Sequence, residues 1–260
     1  MEEEAEGTAG IQSAETGLRV LLALAHPGPP RMLKTIAQTA GMPPSKAHRY
    51  LASLTRLGFA DRDPANGRYR LGPAALQLGL VALGNLNPVR IGTAALAALR
   101  DKIDETVALA IWGSAGATFV RLEEASRPVT VNAKAGSVLP LLASATGRVF
   151  GAYLPPAMIA PMLALEMAQT PRRPDLPHDL PAAEALLAEV RQAGLGRVTG
   201  EMMSGIHALS APVFDHQGRI VAALTALGSA GAFDDRPEGV VAAALRQAAG
   251  HASREMGWAG

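Results

Sequence analysis

A short segment near the N-terminus constrains the fold more than any other part of the sequence. Ala37 and Gly41 lie four residues apart, and apolar Ala47 follows six residues later. A small residue, a turn glycine and a buried residue at this spacing allow two short helices to cross at a steep angle. The segment therefore predicts a helix-turn-helix, with one helix over about 33–40 and the next within 43–59.

The helix within 43–59 has two distinct faces. At 100° per residue, one arc of about 120° is apolar, and it contains Ala47, Tyr50, Leu51, Leu54 and Leu57. The opposite side is small and basic, with Ser45, Arg49, Ala52 and Arg56 flanked by Lys46 and His48. By itself, this pattern does not distinguish a solvated face from a face that contacts another molecule.

The flanking segments complete a small domain. A helix is expected to start at a Ser13 cap and run to about residue 25. A hairpin is expected over 58–72, because Asn66 and Gly67 favour the positive φ values of a tight turn. Three helices followed by a hairpin predict a winged helix-turn-helix over residues 11–72.

The charge of the chain is unevenly distributed. Residues 11–75 carry nine Lys and Arg against three Asp and Glu, a net charge of +6, whereas the whole chain has +1. Strand alternation places Arg68 and Arg70 on one face of the hairpin, away from Tyr69 and Leu71. A basic winged helix on a near-neutral body predicts a module that binds DNA.

Residues 73–87 predict an apolar connecting helix whose Leu76, Leu80 and Leu83 form one stripe. This stripe either packs against another domain or another chain, or it belongs to an internal core helix. The sequence alone favours neither alternative.

Residues 88–260 change to mixed helices and strands. Strands are predicted at 106–112, 117–124, 129–133, 207–214 and 220–227, and helices at about 89–103, from about 144, at about 182–193 and at about 237–256. A Pro-rich stretch over 170–181 predicts a surface loop. Strands in runs, with helices between and after them, predict an α+β domain on an antiparallel sheet.

Other classes of function have little support in the sequence. The chain has no cysteine, which excludes disulfides and thiolate chemistry. No phosphate loop, nucleophile elbow or dinucleotide fingerprint is present, and His207, Asp215 and His216 match no metal-ligand spacing. We therefore expect no enzyme activity, cofactor or metal. The acidic residues 1–10 predict a disordered tail rather than a secretory signal, and no apolar run is long enough to cross a membrane. A cytoplasmic protein is expected.

The sequence also resembles a known family over nearly its whole length. The segments QSAETGLRVLLALA and LKTIAQTAGMPPSKAHRYLASLTRLGFADRDPANGRYRLGPAALQLG resemble the N-terminal domain of IclR-type bacterial transcriptional regulators. The segments LPLLASATGRVFGAYL and EMMSGIHALSAPVFDHQGRIVAALTALGSAG resemble the effector-binding domain of that family. The resemblance implies a GAF-like C-terminal domain over 88–260. It also implies a dimer or tetramer that binds a palindromic operator and, as a repressor of a catabolic operon, responds to a small metabolite. The alternative is a DNA-binding protein whose C-terminal domain only oligomerises.

The resemblance implies specific DNA-binding residues. Ser45, Lys46 and Arg49 match the start of the family's recognition helix, and Lys46 stands where Thr is common. Arg56 lies further along this helix, where contact with backbone phosphate is expected. The full set that we expect at DNA is Lys34, Ser45, Lys46, His48, Arg49, Arg56, Arg68 and Arg70. In the family's first helix an Arg often stands where this chain has Thr16.

The resemblance also implies an effector site on the concave face of the sheet, beneath a helix that starts at Ser144–Gly147. The matching positions are Ala145, Thr146, Ile206, Ala208, Thr225 and Leu227. A helix N-terminus suits a carboxylate, although a Ser-capped helix needs no ligand, and the apolar positions are also consistent with ordinary core. Ala208 replaces a frequent Cys and Leu227 an occasional Ser, so we expect an effector with one polar or carboxylate end and an apolar or aromatic body.

Overall fold

The computed structural model describes residues 10–26, 28–126, 133–168 and 175–260. The chain divides into two compact units, Met1–Leu86 and Asn87–Gly260. The predicted tail over 1–10 and the predicted strand over 129–133 lie outside the described residues, except for residues 10 and 133. Each unit is described below by itself.

The first unit contains the predicted helix-turn-helix. Three helices precede its hairpin: α1 (Gln12–Leu24), α2 (Leu33–Thr39) and α3 (Pro44–Arg56). Gly41 has a φ of +64°, a left-handed conformation that a side chain disfavours and that commonly ends a helix. Ala37 and Ala47 are both buried, and the N–H of Met42 donates to the carbonyl of Ala37 at 3.0 Å. The spacing of these residues therefore forms the turn that it predicts.

The cap predicted for the first helix is wrong. Ile11 occupies the N-cap position, no side chain caps the helix, and Ser13 lies inside the first turn. Helix α1 packs instead through its buried side chains, in a core of Val20, Ala23, Leu24, Ile36, Ala40, Leu51, Ala60 and Tyr69. The residues before Thr16 are exposed, so the start of this helix has neither a side-chain cap nor buried contacts.

The hairpin consists of β1 (Ala60–Arg62) and β2 (Tyr69–Leu71), which pair antiparallel. Of the predicted turn residues, only Gly67 has a positive φ, +70°. Asn66 contributes differently, because its side-chain amide donates to the Asp63 carboxylate at 2.6 Å and its Oδ1 accepts from the N–H of Arg68 at 3.0 Å. Asx hydrogen bonds therefore hold this turn together with one left-handed glycine.

The connecting helix, α4, spans Pro73–Gly84 and contains no buried residue. Its predicted stripe is exposed: 64% of Leu76, 58% of Leu80 and 39% of Leu83 is accessible. The internal-core alternative is therefore wrong for the described chain. Contact with another domain or another chain stays a prediction.

The second unit is an α+β domain on an antiparallel sheet. Its elements are α5 (Pro88–Ile103), β3 (Thr106–Gly113), β4 (Gly116–Glu123), α6 (Ala145–Tyr153), α7 (Pro156–Met167), α8 (Leu180–Ala193), β5 (Gly196–Thr199), β6 (Ile206–Phe214), β7 (Ile220–Ser229) and α9 (Val240–Glu255). The strand order is β4-β3-β7-β6-β5, and every neighbouring pair is antiparallel. The fold class predicted from the sequence is confirmed.

Helices cover both faces of this sheet. Ala108 and Ala110 of β3 lie in the cluster that contains Phe150 of α6. Leu109 faces the other way and packs against α5 so closely that a Cβ on Gly92 would come within 2.5 Å of its side chain. Because alternate residues of a strand face opposite sides, α5 and α6 lie on opposite faces, and the α6 face is the predicted effector face.

Two elements were not predicted from the sequence. Helix α7 contains Pro161 in its interior, which hides the helical pattern, and β5 has only four residues. The loop predicted over 170–181 ends earlier than expected, because α8 begins at Leu180 after an Asp179 cap; the first part of that loop, 170–174, lies outside the described residues.

Candidate functional site

The outward face of α3 carries the predicted DNA-binding side chains. Ser45, Lys46, His48, Arg49 and Arg56 are all exposed, as is Lys34 on α2. No ion pair within the described parts of the chain involves any of these basic side chains. Among the described residues, the basic side chains of this face therefore have no ion-pair partner, and such positive charge attracts phosphate.

Burial of the opposite face sets this orientation. Ala47 and Leu51 are fully buried, and the ring of Tyr50 packs beside Gly17 of α1. The apolar arc is shorter than expected, since the helix ends at Arg56 and Leu57 is 66% exposed. The core of the unit thus fixes which face of α3 remains open.

The two predicted wing arginines are exposed but already make contacts. Nη1 of Arg68 donates to the carbonyl of Pro30 at 3.0 Å. Nε and Nη2 of Arg70 both donate to one oxygen of Asp61, at 2.9 and 2.6 Å. Asp61 therefore offsets much of the charge that Arg70 would offer to DNA.

Two further arginines belong to the wing and were missing from the sequence-based set. The main chain of Arg31 pairs with Tyr69 through hydrogen bonds of 2.9 and 2.8 Å, which adds a bridge to the hairpin. The guanidinium of exposed Arg62 lies 5.7 Å from the centre of the Tyr69 ring. The position of Arg62 on the predicted first strand could have indicated it, whereas the pairing of Arg31 is a long-range contact.

All six predicted effector residues line one cavity of the second unit. The others around it are mostly apolar and include Phe119, Leu139, Val198, Met202 and Met203. The cavity encloses about 490 Å³ of space between atoms, including the part open to solvent. The lining favours a ligand with an apolar body.

Three buried hydroxyl groups form a chain at the polar end of the cavity. The hydroxyl oxygens of Thr146 and Thr225 are 2.7 Å apart, and Thr225 donates to Oγ of Ser210 at 3.0 Å. Ser210 in turn donates to the carbonyl of Leu224 at 3.2 Å. Ser210 is fully buried and does not line the cavity, and no sequence pattern indicated its role.

Helix α6 begins at this polar end. Oγ of Ser144 accepts from the N–H of Gly147 at 2.8 Å and donates to the carbonyl of Pro140 at 2.6 Å. Ala145 and Thr146, whose N–H groups belong to the first turn and have no partner within a helix, line the cavity. The first turn of α6 and the hydroxyl chain together form the polar end of the cavity.

An ion pair fixes the segment that carries Met202 and Met203. Nη2 of buried Arg148 lies 3.1 Å from Oε1 of Glu201, and Nε of Arg148 donates to the carbonyl of Leu142 at 2.7 Å. Burial lowers the pKa of Arg148, while Glu201 opposes that effect. Burial acts to raise the pKa of Glu201, but the N–H of Thr199 and the charge of Arg148 outweigh it and leave this pKa below its ordinary value. Glu201 is therefore a carboxylate near neutral pH, and Arg148 stays charged because a guanidinium is not deprotonated in proteins.

The histidine considered for acid-base or metal chemistry has a structural partner. Nδ1 of His207 lies 3.1 Å from Asp235, which also pairs with Arg197 at 2.8 Å. Asp215 pairs with Arg219 at 2.8 Å in the turn before β7. Within the described ranges, no group of three or more His, Cys, Asp or Glu is placed to hold a metal ion. The same ranges contain no helix of the length and apolar character that a membrane span requires.

Two family models match the chain. The model of the IclR helix-turn-helix domain covers residues 13–64, and the model of the bacterial transcriptional regulator IclR C-terminal domain covers residues 81–254. Together they include α3 and every residue of the cavity.

Individual relatives extend over almost the full length. The crystal structure of Pseudomonas aeruginosa HmgR is 43% identical, covers 96% of this chain and 100% of its own, and has a TM-score of 0.89. The DNA-binding transcriptional repressor YiaJ of Escherichia coli K12 is 28% identical over 99% of this chain and 92% of its own length. An IclR homologue of Microbacterium hydrocarbonoxydans, solved with 4-hydroxybenzoate, is 22% identical, covers 94% of this chain and 98% of its own, and has a TM-score of 0.57.

Proposed function

Because this chain belongs to the IclR family of bacterial transcriptional regulators, we propose that it represses a catabolic operon and is switched by a small organic acid. The observation that carries the proposal is the apolar cavity with a single polar end, built from α6, β6 and β7. Its ligand would be a carboxylate with an apolar or aromatic body.

Operator recognition would depend on the outward face of α3. Ser45, Lys46 and Arg49 would contact base edges in the major groove, since they lie at the N-terminal end of the helix. Arg56 and Lys34 would contact phosphate. Their exposure and lack of ion pairs in the described chain support these roles.

The wing would add contacts outside the major groove. Arg68 and Arg70 would reach phosphate or the minor groove, with Arg70 exchanging its Asp61 partner for DNA. Such contacts strengthen binding to every sequence alike, because phosphate carries no sequence information.

Two copies of the chain would bind a palindromic operator, with recognition helices about 34 Å apart or a multiple of that distance. The exposed leucines of α4 supply apolar surface that a second copy could cover. The assembly would be a dimer or a tetramer.

In the effector site, the carboxylate would lie against the first turn of α6, where unpaired N–H groups and the helix dipole favour negative charge. The apolar body would lie among Phe119, Ile206 and Leu227. The Microbacterium structure with 4-hydroxybenzoate is an example of this fold holding an aromatic acid.

Control of operator binding by the effector follows from thermodynamic linkage between the two binding equilibria. A ligand shifts operator affinity only through its different affinities for the DNA-binding and non-binding arrangements of the protein. A differential affinity of tenfold in each of two sites would weaken operator binding by about a hundredfold.

The experiment combines calorimetric titration with operator binding. The full-length protein is titrated with benzoate, phenylacetate and glyoxylate, and its affinity for DNA upstream of its own gene is measured with and without each acid. We expect the aromatic acids to bind more tightly than glyoxylate and to change operator affinity. Tight glyoxylate binding without aromatic binding would refute the ligand class. Binding with unchanged operator affinity would indicate a C-terminal domain that does not control DNA binding.

A further inference from the structure

The hydroxyl groups that line the effector cavity all donate their hydrogens to acceptors within the protein. Ser144, Thr146 and Thr225 are the hydroxyl-bearing residues that line the cavity in the described chain, and the other lining residues are apolar. Each hydroxyl has one hydrogen to donate and two lone pairs that accept. The partners of these groups therefore decide what the cavity offers to a ligand.

Which hydroxyl donates in each hydrogen bond of the chain follows from its last acceptor, a main-chain carbonyl. The carbonyl of Leu224 can only accept, so Ser210 uses its hydrogen there. Thr225 then donates to Ser210, and the remaining hydrogen of the pair Thr146–Thr225 must come from Thr146. Ser144 likewise donates to the carbonyl of Pro140. The hydroxyls that line the cavity thus have only lone pairs left for a ligand.

From this direction we infer that the effector carries a hydrogen-bond donor, a hydroxyl group next to its carboxylate, and that Ser210 is the positioning residue that selects it. The inference rests on the proposed function. A carboxylate has no hydrogen to donate, so the main-chain N–H groups of α6 alone can bind it. Thr146 supplies both one of these N–H groups and the accepting hydroxyl oxygen, so donor and carboxylate lie on neighbouring atoms of the ligand. This is the arrangement of a 2-hydroxy acid.

Ser210 acts without touching the ligand. It is fully buried, and strand pairing places it directly opposite Thr225. When the hydroxyl of Ser210 is removed, Thr225 loses the acceptor for its hydrogen and can donate to Thr146 instead. Thr146 then has a hydrogen free to point into the cavity. Replacing Ser210 with Ala would therefore change the polar end of the cavity from an acceptor into a donor.

Three acids of similar size test this inference. Mandelate has a hydroxyl beside the carboxylate, benzoylformate has a carbonyl there that only accepts, and 2-phenylpropanoate has a methyl group. Each is titrated calorimetrically into the full-length protein, with both enantiomers of the chiral acids. We expect the better mandelate enantiomer to bind about tenfold more tightly than benzoylformate, from one hydrogen bond gained and one contact between lone pairs avoided. In Ser210→Ala, we expect this ratio to fall by about the same factor.

Ser253→Ala is the matched control. Ser253 is also a buried serine of this unit; its Oγ donates to the carbonyl of Ala249 at 2.8 Å and accepts from the N–H of Phe214 at 3.0 Å. It does not line the cavity. Its loss should lower thermal stability but leave the ratio of the two affinities unchanged.

The outcomes separate this inference from the proposed function. If 2-phenylpropanoate or benzoylformate binds the wild type as tightly as mandelate, the donor requirement is wrong while an aromatic-acid effector stands. A ratio that survives in Ser210→Ala would refute the role of Ser210. If no aromatic acid binds, the proposed ligand class fails and this inference fails with it. The wild-type ranking decides the donor requirement even if Ser210→Ala does not fold.

Discussion

Replacing Arg49 with Ala should remove most of the preference for operator over other DNA. Arg49 is exposed on α3, and the buried contacts of that helix come from Ala47 and Leu51. Its removal therefore leaves the core intact, and α3 should keep its orientation. The loss should appear in binding and not in stability.

The magnitude follows from the contact that is lost. A bidentate contact between a side chain and a base is worth about 1–3 kcal/mol of discrimination. Two copies on a palindromic operator would double this to about 2–6 kcal/mol, or about 30-fold to 2 × 10⁴-fold in the specificity ratio. Affinity for unrelated DNA should fall far less, because only a general electrostatic contact is lost.

The assay is fluorescence anisotropy with operator and scrambled duplexes over a series of salt concentrations. Arg56→Ala is the matched control, since Arg56 is also exposed but lies in the last turn of α3. It should weaken binding to both duplexes alike and reduce the salt slope by about 0.9 for each copy. If Arg49→Ala keeps the wild-type ratio of operator to scrambled affinity, α3 does not read bases through this residue.

Three further substitutions test other parts of the structure. Asp61→Asn should release Arg70 for DNA, tightening binding several-fold on any sequence and steepening its salt dependence; unchanged anisotropy would mean that Arg70 lies away from DNA. Gly41→Ala should destabilise the first unit by about 1–2 kcal/mol in thermal denaturation, because Gly41 has a φ of +64°. Gly79→Ala is the control, since Gly79 lies in the interior of α4 with open space around it. This control should be neutral or stabilising. Burial acts to raise the pKa of Asp215. Hydrogen bonds from Arg219 and from the main-chain N–H of Gln217 outweigh burial and lower this pKa overall. The stability that Asp215 contributes is present above its ordinary pKa and is lost as pH falls through the lowered one. Asp215→Asn should therefore lower the Tm at pH 6, and its difference from the wild type should shrink as pH falls below the ordinary pKa of aspartate.

Much of the first unit could be predicted from the sequence. Helix periodicity placed Ala47 and Leu51 inside and Arg49 outside, and Gly41 indicated the turn. These features follow from local rules, since the period of a helix and the φ of a glycine depend on neighbouring residues. The Ser13 cap failed because the helix begins at Gln12, with Ile11 at the N-cap position and Ser13 inside the first turn.

The effector cavity was predicted only in part. Resemblance to the family supplied Thr146 and Thr225, but Ser210 has no pattern that separates it from any other strand serine. In the second unit, α7 was missed because Pro161 interrupts its pattern. Resemblance indicates positions, whereas the direction of hydrogen bonds depends on every partner in the chain of contacts.

The sequence by itself determined a basic winged helix, an antiparallel α+β domain and the face of α3 that stays open, because these depend on composition and on spacing along the chain. Only the tertiary structure decided the chemistry of the cavity. Thr146 and Thr225 are 79 positions apart in the chain, and the register of β6 against β7 brings Ser210 opposite Thr225. A hydroxyl group is a donor or an acceptor according to the groups that surround it, and for these three residues the fold assembles those groups from distant segments.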